Sequence, residues 1–430
     1  MKKPDKSPLA LRQWAVYALV CALLLIMPFT VAEAKAQDNS LSLSEAVAKT
    51  LQQHPSLQVF PLRQQQLQAE KKTADLSPAY VIGADVENVA GTGELRGIRS
   101  LETRVTLSSV LELGDKRQSR VNVVEQQSER VRVERQIVAL DLLGQVTRQF
   151  IAVLNSQERV KLAYEGLDLA DAIKQEVNKR VTAAVAPKAD LGRAEAEVEQ
   201  AELALLTERY QLKADKMALA NLWGSYQPSF DKVSGSLYDF DKVVSFDRLF
   251  ARVERNPQIE LFAAEFRVRD AKVRLARTQQ VADLTWSVGI RRDEGLNDSA
   301  LIAGISMPLF SRERAQGEIE AALSARNQVS YQRQDTLLQL HTQLYRAYSG
   351  REQAIMSMDK LRQQIIPKLA DSLEQTRKGY QQGLYSYLDL LKTRQDLLNA
   401  RRALIEAATA GLQYEAEIEQ LTAEPLAATE

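Results

Sequence analysis

Two aspartates in matching contexts are the residues of this chain best placed to act on charged groups. Asp190 lies in "RVTAAVAPKADLGRAEAEVEQAELALL" and Asp389 lies in "GYQQGLYSYLDLLKTRQDLLNARRAL". Each follows a break of small residues, precedes a leucine and opens a long amphipathic helix. Lys392 comes three residues after Asp389, so the two charges can share one helix face and pair. The simpler interpretation is a helix start, because Ser386 and Asp389 form an S-x-x-D capping box.

No other residues have the spacing of a catalytic or metal site. The chain has two histidines, His54 and His341, which lie on different predicted helices, and one cysteine, Cys21. Protein metal sites usually cluster His or Cys ligands at characteristic spacing. The sequence also offers no nucleophile beside a base, no phosphate-binding loop and no paired carboxylates in an evident pocket. We therefore predict neither an enzyme nor a resident metal or cofactor.

The N-terminal 36 residues are typical of a secretory signal peptide. Basic residues precede an apolar run at 14–27, and Ala34-Lys35-Ala36 provides an A-x-A cleavage site. A membrane anchor is the alternative, but a spanning helix needs about 20 apolar residues. Val20 stands before Cys21, where a lipid-attachment box has Gly, Ala or Ser. We therefore expect cleavage after Ala36 without lipidation.

The bulk composition favours long helices and does not suggest nucleic acid as a partner. Basic and acidic residues balance at 56 each, and no basic patch stands out. Aromatic residues make up 6% of the chain, with only 18 Gly and 12 Pro. Such a composition is more typical of extended helical structure than of a compact enzyme with many loops.

The chain repeats its plan after about 200 residues, as the similar segments "LSEAVAKTLQQHPSL" and "SFDRLFARVERNPQI" show. Each half is predicted to contain a helix, two strands, a long helix, a break and a closing helix. The predicted helices are 43–77, 116–181 and 188–223 in the first half, and 246–281, 314–379 and 386–421 in the second. Pro367 should disturb one turn of the second long helix. The predicted division is 1–36 signal peptide, 37–224 first repeat, 225–245 equatorial linker, 246–422 second repeat and 423–430 tail.

Four segments alternate between apolar and polar residues with a period of two, which predicts strands with one apolar face. The first pair falls at about 80–110 and the second at about 284–309. The apolar positions of the second pair, which we predict to face lipid, are Trp286, Val288, Ile290, Leu301 and Ile305. Four strands cannot close a membrane barrel alone, whereas three chains would supply twelve. Two soluble hairpins packed on the helices are the alternative.

The order of these features resembles the TolC-type outer membrane factors, and most of all their cobalt-zinc-cadmium efflux branch. The resemblance covers the whole mature chain and includes "GL-x-S-x-x-D-L" at the second tip, "HPSL" at 54–57, "LELGDKRQSR" at 111–120 and "MPLFSRERAQGEIEAA" at 307–322. Asp115 replaces the second glycine of the branch's E-x-G-G-K-R segment. The fold class implied is mainly α with a small β contribution: a homotrimer with a 12-stranded β-barrel and a long periplasmic α-barrel.

The resemblance also implies a function and partners. The expected protein is the outer membrane channel of a tripartite, RND-type efflux system in a Gram-negative bacterium, extending into the periplasm. It would take substrate, heavy-metal cations in this branch, from an inner-membrane transporter and a periplasmic adaptor. The alternatives are a conduit of the same fold for drugs or type I protein secretion, and a periplasmic coiled-coil scaffold.

The resemblance places the two aspartate stretches at hairpin tips around the periplasmic mouth. Asp389 matches an aspartate that rings this mouth, and Lys392 stands where a second aspartate is usual, so these two residues are the candidate gate. Asp190 is expected to be structural or to face the adaptor. The residues expected to shape the tips or contact the adaptor are Ala184, Lys188, Asp190, Gly379, Gly383, Leu384 and Ser386.

Overall fold

The computed structural model describes residues 39–240 and 244–424, so the predicted signal peptide lies outside the described residues. The first half contains β1 (Ser40–Leu41), α1 (Leu43–Gln53), α2 (Pro55–Ala74), β2 (Val81–Glu87), a 3₁₀ turn (Gly93–Leu95), β3 (Glu102–Leu111), α3 (Lys116–Thr182) and α4 (Lys188–Asn221). The second half contains β4 (Lys232–Val233), α5 (Phe246–Val253), α6 (Pro257–Thr278), β5 (Leu284–Asp293), β6 (Asp298–Ser306), α7 (Ser311–Lys360), a π-helical segment (Leu361–Ile365), α8 (Ile366–Gln382) and α9 (Tyr387–Thr422). Apart from the short strands β1 and β4, the two halves follow the same order.

The first helix of each half is broken, contrary to the single helices predicted at 43–77 and 246–281. A proline follows each break, and the residue before a proline is disfavoured in the α conformation. His54 accordingly has φ −64° and ψ 126°, and Asn256 has φ −61° and ψ 138°. Each side chain then caps the new helix: His54 Nδ1 accepts from the Ser56 N–H, and Asn256 Oδ1 accepts from the Gln258 N–H.

The long helices follow the prediction closely. Helix α3 has 67 residues, and a helix of that length spans about 100 Å at 1.5 Å per residue. Its counterpart is α7, the π-helical segment and α8 in succession. The interruption predicted near Pro367 is confirmed, because the π-helical turn lies directly before this proline. A proline lacks the N–H that would continue the regular hydrogen-bond ladder.

Helix α3 is the central packing element of the described residues, lying against α1, α2, α4, α6 and α9. It also contains an 18-residue window that by length and composition alone could span a membrane. Val146, Phe150 and Val153 from its apolar stretch are buried in a core with Leu219 of α4 and Ile405 of α9. We therefore interpret this stretch as packed core.

The four longer strands form one antiparallel sheet in the order β2-β3-β5-β6, so the strand pairs of the two halves meet at β3 and β5. The register places every predicted apolar position on one face. Trp286 pairs with Ile305, and Ile290 pairs with both Val105 and Leu301. The opposite face carries Thr106, Ser287 and other polar residues. The predicted period-two alternation is therefore confirmed in these strands.

Candidate functional site

The first hairpin tip, between α3 and α4, is closed by backbone contacts. Helix α3 ends at Thr182 with Ala183 as its C-cap, and Ala184 adopts a left-handed conformation with φ 59°. The Val185 N–H then donates to the Arg180 carbonyl at 2.9 Å. Helix α4 begins at Lys188 after Pro187, which makes no side-chain cap. Asp190 lies half-buried in its first turn and pairs with Arg193 at 3.6 Å, so it acts within its own helix.

The second tip, between α8 and α9, needs two glycines. Gly383 ends α8 with φ 83°, and the Leu384 N–H donates to the Gly379 carbonyl at 2.8 Å. This arrangement is a Schellman-type helix end. A Cβ on Gly379 would lie 2.3 Å from the Tyr385 ring, so the ring packs where only glycine fits. Leu384 is largely exposed at the turn.

Asp389 caps the helix that follows this turn. Its Oδ2 accepts from the Ser386 N–H at 2.9 Å and the Ser386 hydroxyl at 2.6 Å, while its own N–H donates to Ser386 Oγ at 3.2 Å. Hydrogen bonds from the Ser386 side chain and then its backbone lower the pKa of Asp389. The exposed carboxylate is therefore ionised throughout the neutral pH range.

Lys392 is not the ion-pair partner of Asp389 within this chain, contrary to the pairing that the sequence suggested. Its ammonium lies 3.6 Å from Asp396, one turn further along α9. The reason is local: the Asp389 carboxylate turns back toward Ser386, while Asp396 stands at the i+4 position from Lys392. Both charged groups remain exposed near the tip.

A basic side chain that sequence reasoning missed joins the two tips. The Arg180 guanidinium, near the end of α3, donates to the backbone carbonyls of Tyr380 and Gln381, the latter at 3.0 Å. It also lies 4.7 Å from the centre of the Tyr380 ring, which allows a cation–π contact. One turn earlier, the guanidinium of Arg377 donates to Glu176 at 2.5 Å. The sequence signal for this contact is the pair of opposite charges, Glu176 and Arg377, at the repeat spacing.

Buried tyrosines fill the space behind these contacts. Tyr380 and Tyr387 are each 3% exposed and pack with Ile173, Val177 and Leu390. Burial raises the pKa of both phenols. Their hydroxyl groups have no hydrogen-bond partner among the described residues. An unpartnered buried hydroxyl costs about 1–3 kcal/mol.

The residues predicted to face lipid lie together on the apolar face of the sheet. Leu301 is 86% exposed and Ile305 is 75% exposed, and Val288 and Ile290 are also exposed. Trp286 is half-buried and meets Tyr80 edge-on, with ring centres 6.2 Å apart. Monomeric soluble proteins rarely expose an apolar face of this kind.

Within the described residues, no group of three or more His, Cys, Asp or Glu side chains has the arrangement of a metal site. His54 is occupied as a helix cap, with Nδ1 also 2.7 Å from the Ser56 hydroxyl. His341 packs edge-on against Phe246 and Phe250. Neither histidine lies at the hairpin tips.

Long packed helices, a sheet with one exposed apolar face and two hairpin tips are together typical of a subunit of a membrane channel. The model of the outer membrane efflux protein family matches residues 46–225 and 252–424. The cobalt-zinc-cadmium resistance protein CzcC of Cupriavidus metallidurans is 30% identical over 291 residues, which are 68% of this chain and 70% of CzcC. The chain therefore belongs to the outer membrane efflux protein family.

Solved structures show the same fold. A membrane protein from Pseudomonas aeruginosa matches with a TM-score of 0.73 and 16% identity, over 90% of this chain and 91% of that one. VceC from Vibrio cholerae matches with a TM-score of 0.69 and 18% identity, over 89% of this chain and 96% of that one. The predicted combination of a β-barrel and an α-barrel is confirmed.

The family assignment settles the class of function. The protein is an outer membrane efflux channel of a tripartite pump, located in the outer membrane and spanning the periplasm, and it is not an enzyme. Channels of this family form trimers and work with periplasmic adaptors and RND-type transporters. The predicted resemblance to the cobalt-zinc-cadmium branch of the family is also confirmed.

Proposed function

We propose that three copies of this chain form the outer membrane conduit of an RND-type pump that exports heavy-metal cations. The observation that carries the proposal is the 30% identity to CzcC, a cobalt-zinc-cadmium resistance protein. The channel itself would be passive, because the described residues hold no cluster of metal ligands. Selectivity for a particular metal would then reside in the transporter.

The sheet supports assembly as a trimer. Strands β2 and β6 are its free edges, and each would expose unpaired backbone N–H and C=O groups in lipid. Such groups cost several kcal/mol each in a bilayer, so an open sheet is not stable there. Pairing β6 of one copy with β2 of the next closes a barrel, and three copies give the even number of strands usual for this architecture.

The polar face of the sheet supports a cationic substrate. Four carboxylates face one another across neighbouring strands near the loop end: Glu87, Glu102, Asp293 and Asp298. Like charges directly opposite each other destabilise a sheet. Two arginines compensate in part, with Arg104 lying 3.5 Å from Glu87 and Arg291 lying 3.8 Å from Glu102. In a closed barrel this face would line the lumen, and the acidic excess would concentrate cations there.

At the other end of the channel, the two tips would form the mouth. Six tips from three chains would give a ring suited to adaptor hairpins, with Lys188, Leu384 and the other predicted tip residues on its surface. Asp389 and Lys392 would line the aperture, because the charged groups of both side chains are exposed in the protomer. The capping role of Asp389 is compatible with this function, because the carboxylate remains ionised and exposed.

Deleting the gene tests the substrate class. We expect sensitivity to cobalt, zinc and cadmium salts with unchanged tolerance of large antibiotics, and complementation by the wild-type gene. Sensitivity to antibiotics alone would instead support a drug conduit, and loss of a secreted protein would support type I secretion. A periplasmic scaffold would remain soluble after lysis without detergent.

A second experiment tests the lumen charge. Reversal potentials in a salt gradient should show preference for cations over anions in the wild-type channel. Replacing Glu87 and Asp298 by Gln and Asn should reduce this preference. Glu94→Gln is the control, because Glu94 is an exposed carboxylate in the loop between β2 and β3 and is not one of the four carboxylates on the polar face of the sheet.

A further inference from the structure

The apolar face of the sheet continues beyond the end of β6. Residues 307–310 are Met-Pro-Leu-Phe, and all four are exposed. Met307 and Leu309 continue the period-two sequence pattern of Leu301 and Ile305 past Ser306, the last residue of β6. Phe310 is 71% exposed at the start of α7. This segment lies at the helix end of the sheet, which is the periplasmic end if the helices cross the periplasm.

The backbone at Phe310 makes this exposure more unusual. Phe310 has φ 60° and ψ 32°, the left-handed region that a bulky residue rarely adopts. Its carbonyl still accepts the first helical hydrogen bond, from the Arg314 N–H at 3.2 Å. Asp115 occupies the equivalent place before α3, with φ 58° and the same bond from Ser119. Asp tolerates this conformation better than Phe, so the turn alone does not account for an aromatic residue in the second half.

The Phe310 ring is therefore left largely uncovered by the described part of the protomer. The nearby residues indicate a lipid surface. Tyr80 and Trp286 form an aromatic pair on the same face near the helix end of the sheet. Aromatic residues collect at the boundary between hydrocarbon and headgroups in membrane barrels. Arg312 and Arg314 follow directly, both exposed and without an ion pair in the described part of the chain.

We infer that residues 307–314 form an interfacial anchor for phospholipid on the periplasmic side of the outer membrane. Met307, Leu309 and Phe310 enter the boundary between acyl chains and headgroups, and the two arginines lie at the level of the phosphates. The left-handed turn at Phe310 directs the chain from the strand into α7 while its ring stays in the lipid. Three such anchors would fix the depth at which the barrel sits. The inference rests on the proposed lipid-facing surface of the sheet and extends it beyond the strands.

Site-directed spin labelling tests this arrangement in the full mature trimer, reconstituted in phospholipid vesicles. The chain has a single cysteine, Cys21, within the predicted signal peptide, so a new cysteine gives one label per protomer. The variants are Phe310→Cys and Leu309→Cys, with Ile305→Cys on the sheet and Glu320→Cys further along α7. Accessibility to dissolved oxygen reports lipid, and accessibility to a water-soluble nickel chelate reports water.

The anchor predicts that labels at 310 and 309 are accessible to oxygen and protected from the nickel chelate, while the label at 320 is open to the chelate. Chelate access at 310 and 309 equal to that at 320 would overturn the inference. Protection from both reagents would show that a neighbouring copy covers the segment, and would overturn it as well. The label at 305 distinguishes the anchor from the proposed lipid-facing surface of the sheet. Lipid contact at 305 without lipid contact at 310 would refute the anchor and still support the lipid-facing sheet. If Phe310→Cys fails to assemble, Leu309→Cys decides the result.

Discussion

Removing the guanidinium of Arg180 should loosen the packing between the two hairpin tips. Arg180 donates to two carbonyls at the end of α8, and its guanidinium lies over the Tyr380 ring. Arg180→Met keeps most of the side-chain length and removes all of these contacts. If the mouth widens by movement of α8 and α9 away from α3, these contacts have to break, so we expect the variant to open more readily.

The expected magnitude follows from the contacts. A hydrogen bond to a charged group contributes about 1.5–3 kcal/mol, and we count one because both bonds leave from the same guanidinium nitrogen. A partly exposed cation–π contact adds about 0.5–1 kcal/mol. The two terms together give about 2–4 kcal/mol per protomer, which corresponds to a change of roughly 30- to 700-fold in the equilibrium between closed and open tips.

Single-channel recordings in planar bilayers measure this effect. Arg180→Met should raise mean conductance or the fraction of time spent open, and the cells should become sensitive to large antibiotics. Arg193→Met is the matched control, since among the described residues Arg193 pairs only with Asp190, at 3.6 Å within the same helix. If Arg180→Met conducts like the wild type while the trimer is intact, the link between the tips does not hold the mouth closed. An equal effect of Arg193→Met would show general weakening of the tip instead.

Three further predictions concern the aperture, the sheet and the N-terminus. Asp389→Ala should raise the conductance of the channel. Ser386→Ala breaks the same cap but keeps the carboxylate, so its conductance should match the wild type. Equal conductance of the two variants would show that Asp389 acts only as a helix cap. Val288→Lys, in the middle of β5 on the apolar face, should cost about 2–4 kcal/mol per chain near the bilayer centre and block insertion, whereas Ser287→Lys should insert normally in membrane fractionation. Intact mass should show cleavage after Ala36 without lipid, and a lipid adduct would contradict this.

The pH dependence of the Asp389 cap has a definite sign. Its hydrogen bonds with Ser386 lower the pKa of the folded carboxyl below its usual value near 4. The stabilisation is therefore fully present above that value and is lost as the pH falls through the lower folded pKa. Between pH 7 and 5 the conductance of the Asp389→Asn channel, relative to the wild type, should stay constant. A change within this window would assign the titration to another group.

Periodic features of this chain could be predicted because they depend on neighbouring residues alone. The period-two alternation at Trp286, Val288 and Ile290 identified the strand and its apolar face, and the register confirms both. The capping box at Ser386 and Asp389 was equally local and is present. In each case the geometry of one element fixes the outcome, so no knowledge of the fold was required.

Proline effects were harder to predict. Pro55 and Pro257 each follow a break, whereas Pro61 lies inside α2 without ending it. The difference is that His54 and Asn256 can cap the next helix with their own side chains. A sequence rule based on proline alone does not distinguish these cases, because the helix end also depends on what satisfies the free N–H groups.

Side-chain partners over long distances could not be predicted at all. Lys392 is within reach of both Asp389 and Asp396 by spacing, and the choice follows from the cap that already engages Asp389. Arg180 contacts residues 200 positions away, and its acceptors are backbone carbonyls that have no residue-type signature. Such contacts depend on how the two halves pack, which no local pattern records.

The two tips show how a repeat can keep its geometry while its chemistry diverges. At the second tip, both helix ends are capped by residues of the tip itself: Gly383 ends α8 and Ser386 caps α9. The first tip has Ala184 in a left-handed conformation and no side-chain cap at Pro187, and its Arg180 reaches across to the second tip. A tip that needs no outside partner can move as a rigid unit. We therefore expect opening to break the contacts of Arg180 while the turn of the second hairpin stays folded.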